Sequence, residues 1–392
     1  MSVRAKGIFV VAAKRTPFCK YGGAMQMLPA SQVFAEAAKD AIRSAKLNPS
    51  VIDSTIVGNI NFLSQCDGGK TPRYCGIYSG VPIDKPSLGV NKTCGSGLQA
   101  IITGAVEILT NSAKACLVGG TEVMSALPML VRDVRFGTTL NKSYVIEDYI
   151  QKPLLDTYTG LSQYDIAEKI AKQRNITRED VDRFAFGSYL KWKAAQDENL
   201  FKSEITPIKS ILNDKEYIIS VDELDETRSN NDIDKAANLG DGNIITDGNS
   251  AAPADGAAAL ILVNDEVVKD QNLKPIAKLS GWACVGADPP NELGAVVAIK
   301  RVLDYLNVTI EDIDVFEINE TFASETLAVI KDLGIDECKI NVNGGALVLG
   351  NPVSATGARM ATHIVHFVKD WQYKDGNRCF FLRWWSGYSS CF

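Results

Sequence analysis

The chain has 392 residues, of which 46% are apolar and 22% charged, with a formal net charge of −6. At roughly 150 residues per domain this length predicts two to three domains around a large core. It excludes disorder, which needs few apolar residues and a high net charge, and a collagen-like chain, which needs far more than 31 Gly and 14 Pro. The acidic balance leaves no electrostatic footprint for nucleic acid or an anionic membrane surface, and no window reaches the ~18 to 20 uninterrupted apolar residues of a membrane span.

Nine cysteines are scattered without zinc-type spacing, an odd number that argues for a reducing compartment and against a disulfide framework. Residues 1–35 carry Arg4, Lys6, Lys14, Arg15 and Lys20 but no acid before Glu36. That bias suits an uncleaved mitochondrial address, whereas Gly7 to Ala13 reads as a buried first strand, and the strand reading takes precedence.

In chain order, apolar runs of strand length alternate with longer helix-period stretches, predicting α/β architecture with buried, largely parallel strands. Strands are expected at Ile8 to Ala12, Thr55 to Ile60, Ala115 to Gly119, Ala258 to Val263, Asp314 to Ile318 and Ile340 to Asn343. Gln32 to Ala45, Gly97 to Leu109 and Val296 to Leu306 space their apolar residues by three and four, as amphipathic helices do. A weak internal repeat relates Leu47-Asn48 through Ile56-Val57-Gly58-Asn59 to Leu306-Asn307 through Phe316-Glu317-Ile318-Asn319. It predicts duplicated lobes about a pseudo-twofold axis: 1–120 completed by 245–270, and 271–392, separated by an inserted loop domain, 121–244. Within that insertion the acidic run Asp214 to Asp234 reads as solvated surface.

One stretch carries nucleophile chemistry. Thr93-Cys94-Gly95-Ser96-Gly97 joins a predicted strand to a predicted helix, so that the helix dipole and unpaired N–H groups should favour thiolate at Cys94. The glycines permit close approach of a carbonyl. A lone cysteine is more often core, and this spacing alone leaves both readings open.

Six stretches, in order, decide further: Val10 to Phe18, Asn91 to Gly97, Gly119-Gly120-Thr121-Glu122, Val131 to Gly137, Asn319-Glu320-Thr321-Phe322-Ala323 and Asn343-Gly344-Gly345-Ala346. With them the chain resembles the thiolase family over essentially its whole length. The head and the Arg132 to Gly137 stretch are most similar to the mitochondrial 3-ketoacyl-CoA branch of β-oxidation, with the acetoacetyl-CoA branch as the alternative. The resemblance implies a thiolase fold, two βαβ lobes in an α-β-α-β-α core, with the insertion binding CoA. It also implies acyl transfer from 3-ketoacyl-CoA to Cys94 and then to CoA, or the reverse Claisen condensation. CoA and acyl-CoA are then substrates, with no covalently bound cofactor and no metal, and the assembly is a homodimer or homotetramer. The implied address is the mitochondrial matrix, with the cytoplasm as the other choice.

By the same resemblance Asn319 holds a water in the oxyanion hole, and Ser250, Ala251 and Gly345 lie along the CoA side. Three departures stand out. The family's Gly-His-Pro is Gly350-Asn351-Pro352 here, and Asn cannot act as a base near neutrality, although its amide still donates. The pantetheine-contacting serine falls on Ala251, with Ser250 one position early. Thr321 stands where the family usually has Ala.

The family's Cys-x-Gly-Gly-Gly loop is also missing near Leu382, where the chain runs Cys379-Phe380-Phe381-Leu382-Arg383-Trp384-Trp385-Ser386-Gly387. Two Trp codons read one base later force glycines, and suitable Leu, Arg and Ser codons restore Cys-Gly-Gly-Gly in place. A frameshift therefore explains the tail; a genuinely divergent tail is the alternative. The two histidines, His363 and His366, follow on a helix and read as packing or surface rather than as a metal pair. No G-x-G-x-x-G or P-loop motif supports a nucleotide cofactor. Two rivals remain: a catalytically impaired CoA-binding protein, which Asn351 favours, and, ranked last, a decarboxylating condensing enzyme, which fits a cysteine with amide donors but needs histidine help that this chain lacks.

Overall fold

The computed structural model describes residues 2–4, 7–61, 68–212, 214–224, 236–288, 291–372, 379–383 and 390–391. The first part of the chain forms β1 (Ser2–Arg4), β2 (Ile8–Arg15), β3 (Cys19–Lys20), α1 (Ala30–Ala45), β4 (Ser54–Gly58), α2 (Thr71–Tyr78), β5 (Ser87–Val90), α3 (Ser96–Leu109) and β6 (Ala115–Val123). An insertion follows, with β7 (Met129–Val131), β8 (Ile146–Asp148), β9 (Leu155–Asp156), β10 (Leu161–Ser162), α4 (Gln163–Gln173), α5 (Arg178–Asp197) and the hairpin of β11 (Ile208–Leu212) and β12 (Lys215–Ile219). The rest comprises β13 (Ala254–Asn264), α6 (Asp265–Asp270), β14 (Ala277–Lys278), β15 (Gly281–Val285), α7 (Gly294–Leu306), β16 (Ile313–Ile318), α8 (Ala323–Leu333), α9 (Ala346–Leu349), α10 (Thr356–Gln372), β17 (Cys379–Arg383) and β18 (Ser390–Cys391).

The main sheet has seven strands, ordered β14-β2-β13-β6-β4-β5 with β3 also on β13. Its central strands are buried on both faces: β6 throughout, and β13 everywhere but its last residue. Such strands read as continuous apolar runs because helices cover both sides. On one side α1 inserts Val33, Phe34, Ala37, Ala38, Ala41 and Ile42, which recur at helical spacing. On the other side α3 and α10 share a second apolar core with the inward residues of β4, β6 and β13 and with β16 beyond them. The two helices therefore form the middle layer of an α-β-α-β-α stack. Gly97 and Gly120 let α3 and β6 reach the loop before α10, where an added Cβ would sit 2.6 Å and 1.9 Å from the Ser354 carbonyl oxygen.

Three expectations are corrected. The sheet is mixed rather than largely parallel: β13 runs antiparallel to both β2 and β6, and the parallel pairs are β4–β5, β4–β6 and β16–β17. Ile340 to Asn343 is not a strand but meets β16 through a single bridge at Phe316. There Asn341, at φ +42°, uses its side chain instead, accepting from Ile318 N and donating to Ile318 O, each at 2.8 Å. The insertion, expected as a loop domain, also builds the core, since α4 and α5 bury Ile166, Ile170 and Phe184 there. Their ends are set by capping boxes, Ser162 with Asp165 and Thr177 with Asp180.

The acidic run is split. Residues 214–221 are largely exposed, but Asp222 is fully buried against Arg15, at 2.6 Å and 3.0 Å to the guanidinium. Residues 225–234 of that run lie outside the described residues.

The repeated stretches share a local form. α1 and α7 both end on a left-handed residue, Lys46 (φ +55°) and Asn307 (φ +58°), and each leads through a turn into a buried strand, β4 or β16.

Candidate active site

Cys94 is half-buried in the turn between β5 and α3. Thr93 takes φ +46° there, with its N–H donated to Asn91 Oδ1 at 3.1 Å, and the Lys92 N–H donates to Ser96 Oγ at 2.9 Å. These bonds fold the chain back so that the thiol stands just before the helix.

A second loop meets it. Gly350, at φ +79°, ends α9 and turns the chain so that the Asn351 N–H donates to Ala252 O at 2.8 Å and Asn351 pairs with Pro253. The Asn351 side-chain oxygen accepts from the Thr356 hydroxyl at 2.8 Å. The Asn351 side chain also acts on Cys94, lowering its thiol pKa.

A third loop joins through the same 250–253 segment. Ala251 N donates to Thr321 O at 2.9 Å, and Ser250 bridges to Phe322. Asn319 lies at the end of β16, 5% exposed, with its Nδ2 donating to Thr321 Oγ1 at 2.7 Å. Two of the sequence-derived positions, Asn351 and Asn319, thus belong to loops tied together by residues 250–253, and Cys94 comes within the influence of the first through Asn351. Ser250 and Ala251 form that tie.

The expected activation of Cys94 by the helix is not what the structure gives. Burial is the largest influence and lifts the thiol to about 12. Its own backbone N–H and the Asn351 amide pull the other way, while the carboxylates of Glu122 and Glu325 raise it further. Desolvation and like charge outweigh these two hydrogen bonds.

Glu122 was legible only as part of the Gly119 to Glu122 stretch, and its position is now clear. It is fully buried at the end of β6, accepting from the Ser354 hydroxyl at 2.6 Å, Asn59 Nδ2 at 3.0 Å and Ile60 N at 3.1 Å. Burial still dominates and pushes its carboxyl up to about 7. The signal available in the sequence was a carboxylate at the end of an otherwise apolar strand.

Gly345 sits apart from the 250–253 segment. Its N–H donates to Ser188 Oγ at 3.0 Å, and a Cβ there would lie 2.3–2.6 Å from the Glu320 carboxyl group. Leu382 lies on β17 beside Glu317 of β16. Trp384 to Gly387, where the glycine loop was sought, lie outside the described residues.

Neither histidine is a surface residue. His363 Nδ1 meets Glu204 Oε2 at 2.8 Å and its Nε2 meets Asn343 at 3.1 Å, while His366 Nε2 donates to Ala13 O at 2.8 Å. Burial alone would lower the His363 pKa, but Glu204 outweighs it and the net shift is upward. Glu204 also holds Arg15 at 2.7 Å. Among the described residues no group of three or more His, Cys, Asp and Glu side chains could hold a metal.

A layered α/β core that presents a cysteine and two amides from three loops can support acyl transfer through a cysteine. Residues 8–266 match the thiolase N-terminal domain and residues 273–379 the thiolase C-terminal domain. The chain belongs to the thiolase family. It is 38% identical over 382 residues, 95% of each chain, to the mitochondrial 3-ketoacyl-CoA thiolase of Homo sapiens. Over 369 residues, 93% of each chain, it is 36% identical to a probable acetyl-CoA acyltransferase of Staphylococcus aureus. The crystal structure of the human mitochondrial 3-ketoacyl-CoA thiolase in complex with CoA superposes with a TM-score of 0.92 at 35% identity, covering 100% of this chain and 98% of that one. The Bacillus anthracis acetyl-CoA acetyltransferase gives 0.91 at 28% identity, covering 99% and 98%.

Proposed function

We propose that the chain is a CoA-dependent thiolase that cleaves 3-ketoacyl-CoA through a thioester on Cys94. The Cys94 sulfur attacks the 3-keto carbon and the C2–C3 bond breaks. Its electron pair leaves on C2, which takes a proton to give acetyl-CoA. The acyl group stays on Cys94 until the thiol of a second CoA attacks it, forming the shortened acyl-CoA and returning the cysteine. The reverse sequence is the Claisen condensation. CoA is a substrate in this scheme, not a resident cofactor.

Asn319 and Asn351 supply the hydrogen bonds around the reacting carbonyl, and Ser250 with Ala251 borders the CoA arm. The observation that carries the reading is the placement of the Asn351 side chain where it lowers the Cys94 thiol pKa, in a chain whose residues 8–266 and 273–379 match the thiolase domains. Asn351 cannot serve as a base near neutrality, and burial raises the Cys94 thiol pKa, so deprotonation of the nucleophile is the step this site assists least.

Thiolysis of acetoacetyl-CoA and of longer 3-ketoacyl-CoA esters, in the wild type and Cys94→Ala, tests this. Activity lost in the variant supports the thiolase; affinity for CoA with no turnover in either protein supports the impaired CoA-binding reading.

The matrix is the proposed address, supported by the identity to mitochondrial relatives and the acid-poor N-terminus, and import of a reporter carrying residues 1–40 tests it. A homodimer or homotetramer is the proposed assembly, which sedimentation velocity measures.

A further inference from the structure

We propose that Thr321 is a positioning residue for Asn319, its hydroxyl holding the Asn319 amide so that the amide can offer the site either its oxygen or its nitrogen. This rests on the reading above in which Asn319 faces the thioester carbonyl.

The backbone on either side of Asn319 is clamped. Asn341 bonds both the N–H and the C=O of Ile318 and donates to Glu320 Oε1 at 2.6 Å, and Thr321 O accepts from Ala251 N. The side chain of Asn319 has a single partner among the described residues, Thr321 Oγ1 at 2.7 Å, and its other polar atom, Oδ1, is buried with none. A buried amide oxygen without a donor is a costly arrangement unless something at the site supplies one.

The chemistry of a hydroxyl makes the arrangement useful. An alcohol donates and accepts, whereas an amide end does only one of these. With Nδ2 donating to Thr321 Oγ1, Asn319 presents Oδ1, an acceptor for a thiol or water proton. Turned by 180°, Oδ1 accepts from the Thr321 hydroxyl and Nδ2 points outward, a donor for a developing oxyanion. Thr321 stays bonded in both. An alanine at this position would leave one end of the amide unheld in either orientation. The hydroxyl therefore strengthens one oxyanion donor in a chain whose other loop carries Asn351 in place of a histidine.

The test is thiolysis of acetoacetyl-CoA by the wild type, Thr321→Val, Thr321→Ser, Asn319→Ala and the Thr321→Val/Asn319→Ala double variant. Valine keeps the shape and removes the hydroxyl. The expected result is a kcat about tenfold lower in Thr321→Val with KM within twofold, recovery in Thr321→Ser, and no further loss when Thr321→Val is added to Asn319→Ala. Thr321→Val equal to the wild type, or just as harmful without Asn319, overturns the positioning role and leaves thiolysis by Cys94 standing. A wild type that neither turns over nor gains an acyl group on Cys94 in intact-mass spectra of protein mixed with acetyl-CoA overturns the thiolase reading and this inference with it.

Discussion

The Asn351 side-chain oxygen accepts from the Thr356 hydroxyl at 2.8 Å, and the same side chain lowers the Cys94 thiol pKa. Thr356 thus holds the amide in one orientation. A donor to sulfur stabilises thiolate, so removing it should make the cysteine less reactive. Alkylation of Cys94 by iodoacetamide, followed by peptide mapping at pH 9, should slow at least threefold in Asn351→Leu. An unchanged rate would show that the amide does not influence the sulfur.

Restoring a base is the opposite experiment. With a thiol pKa of about 12, the thiolate fraction at pH 7 is on the order of 10⁻⁵. Asn351→His places an imidazole where it can take the thiol proton, and alkylation at pH 7 should rise by about 10²-fold. Thiolysis should rise with it, and combining the change with a Cys-Gly-Gly-Gly tail in place of residues 382–385 should exceed the product of the separate gains. Simple multiplicative gains in a rate assay would count against a shared catalytic unit.

Glu122 predicts the pH dependence of stability. Its folded pKa is about 7 against an ordinary 4.5, so the folded state binds the proton more tightly than the unfolded chain. The stabilisation is full below pH 4.5 and is lost as pH rises through 7; Asp255, raised to about 6, acts in the same sense. Between pH 5 and pH 8 the wild type should lose about 2 to 3 kcal/mol that Glu122→Gln does not lose. Urea unfolding at the two pH values measures the difference, and parallel losses in both proteins would remove Glu122 from the account.

Gly345→Ala should destabilise by about 2 kcal/mol or more, because the new methyl group meets a Glu320 carboxyl group that Asn341 and Ser188 hold in place. A thermal melt should show Tm lowered by several degrees. A variant that keeps its Tm but loses affinity for CoA would instead place Gly345 at the ligand.

Much of the fold was legible because burial on both faces writes long apolar runs into β6 and β13 and a helical stripe into α1. Those same runs conceal direction: Ala258 to Val263 reads alike in a parallel or an antiparallel neighbourhood, and only the register shows β13 running against both its partners. Ile340 to Asn343 has strand composition, but one asparagine side chain does the work of a ladder there. At the site, Cys94 stood out by local pattern, and the two asparagines only through the resemblance to the thiolase family. The high thiol pKa did not, because it arises first from burial and then from Glu122 and Glu325, carboxylates that tertiary packing brings to the thiol. Thr321 could be seen as an odd residue, but its hydrogen bond to Asn319 could not.

The socket around Asn351 is built without its side chain. Gly350 sets the turn, and Ala252 and Pro253 hold the backbone. Whatever side chain occupies the position is therefore delivered to the same place beside Cys94. One consequence is historical: an exchange of histidine for asparagine leaves the scaffold intact, so a lineage that has lost the base can regain it by changing a single residue, with no refitting of the loops around it.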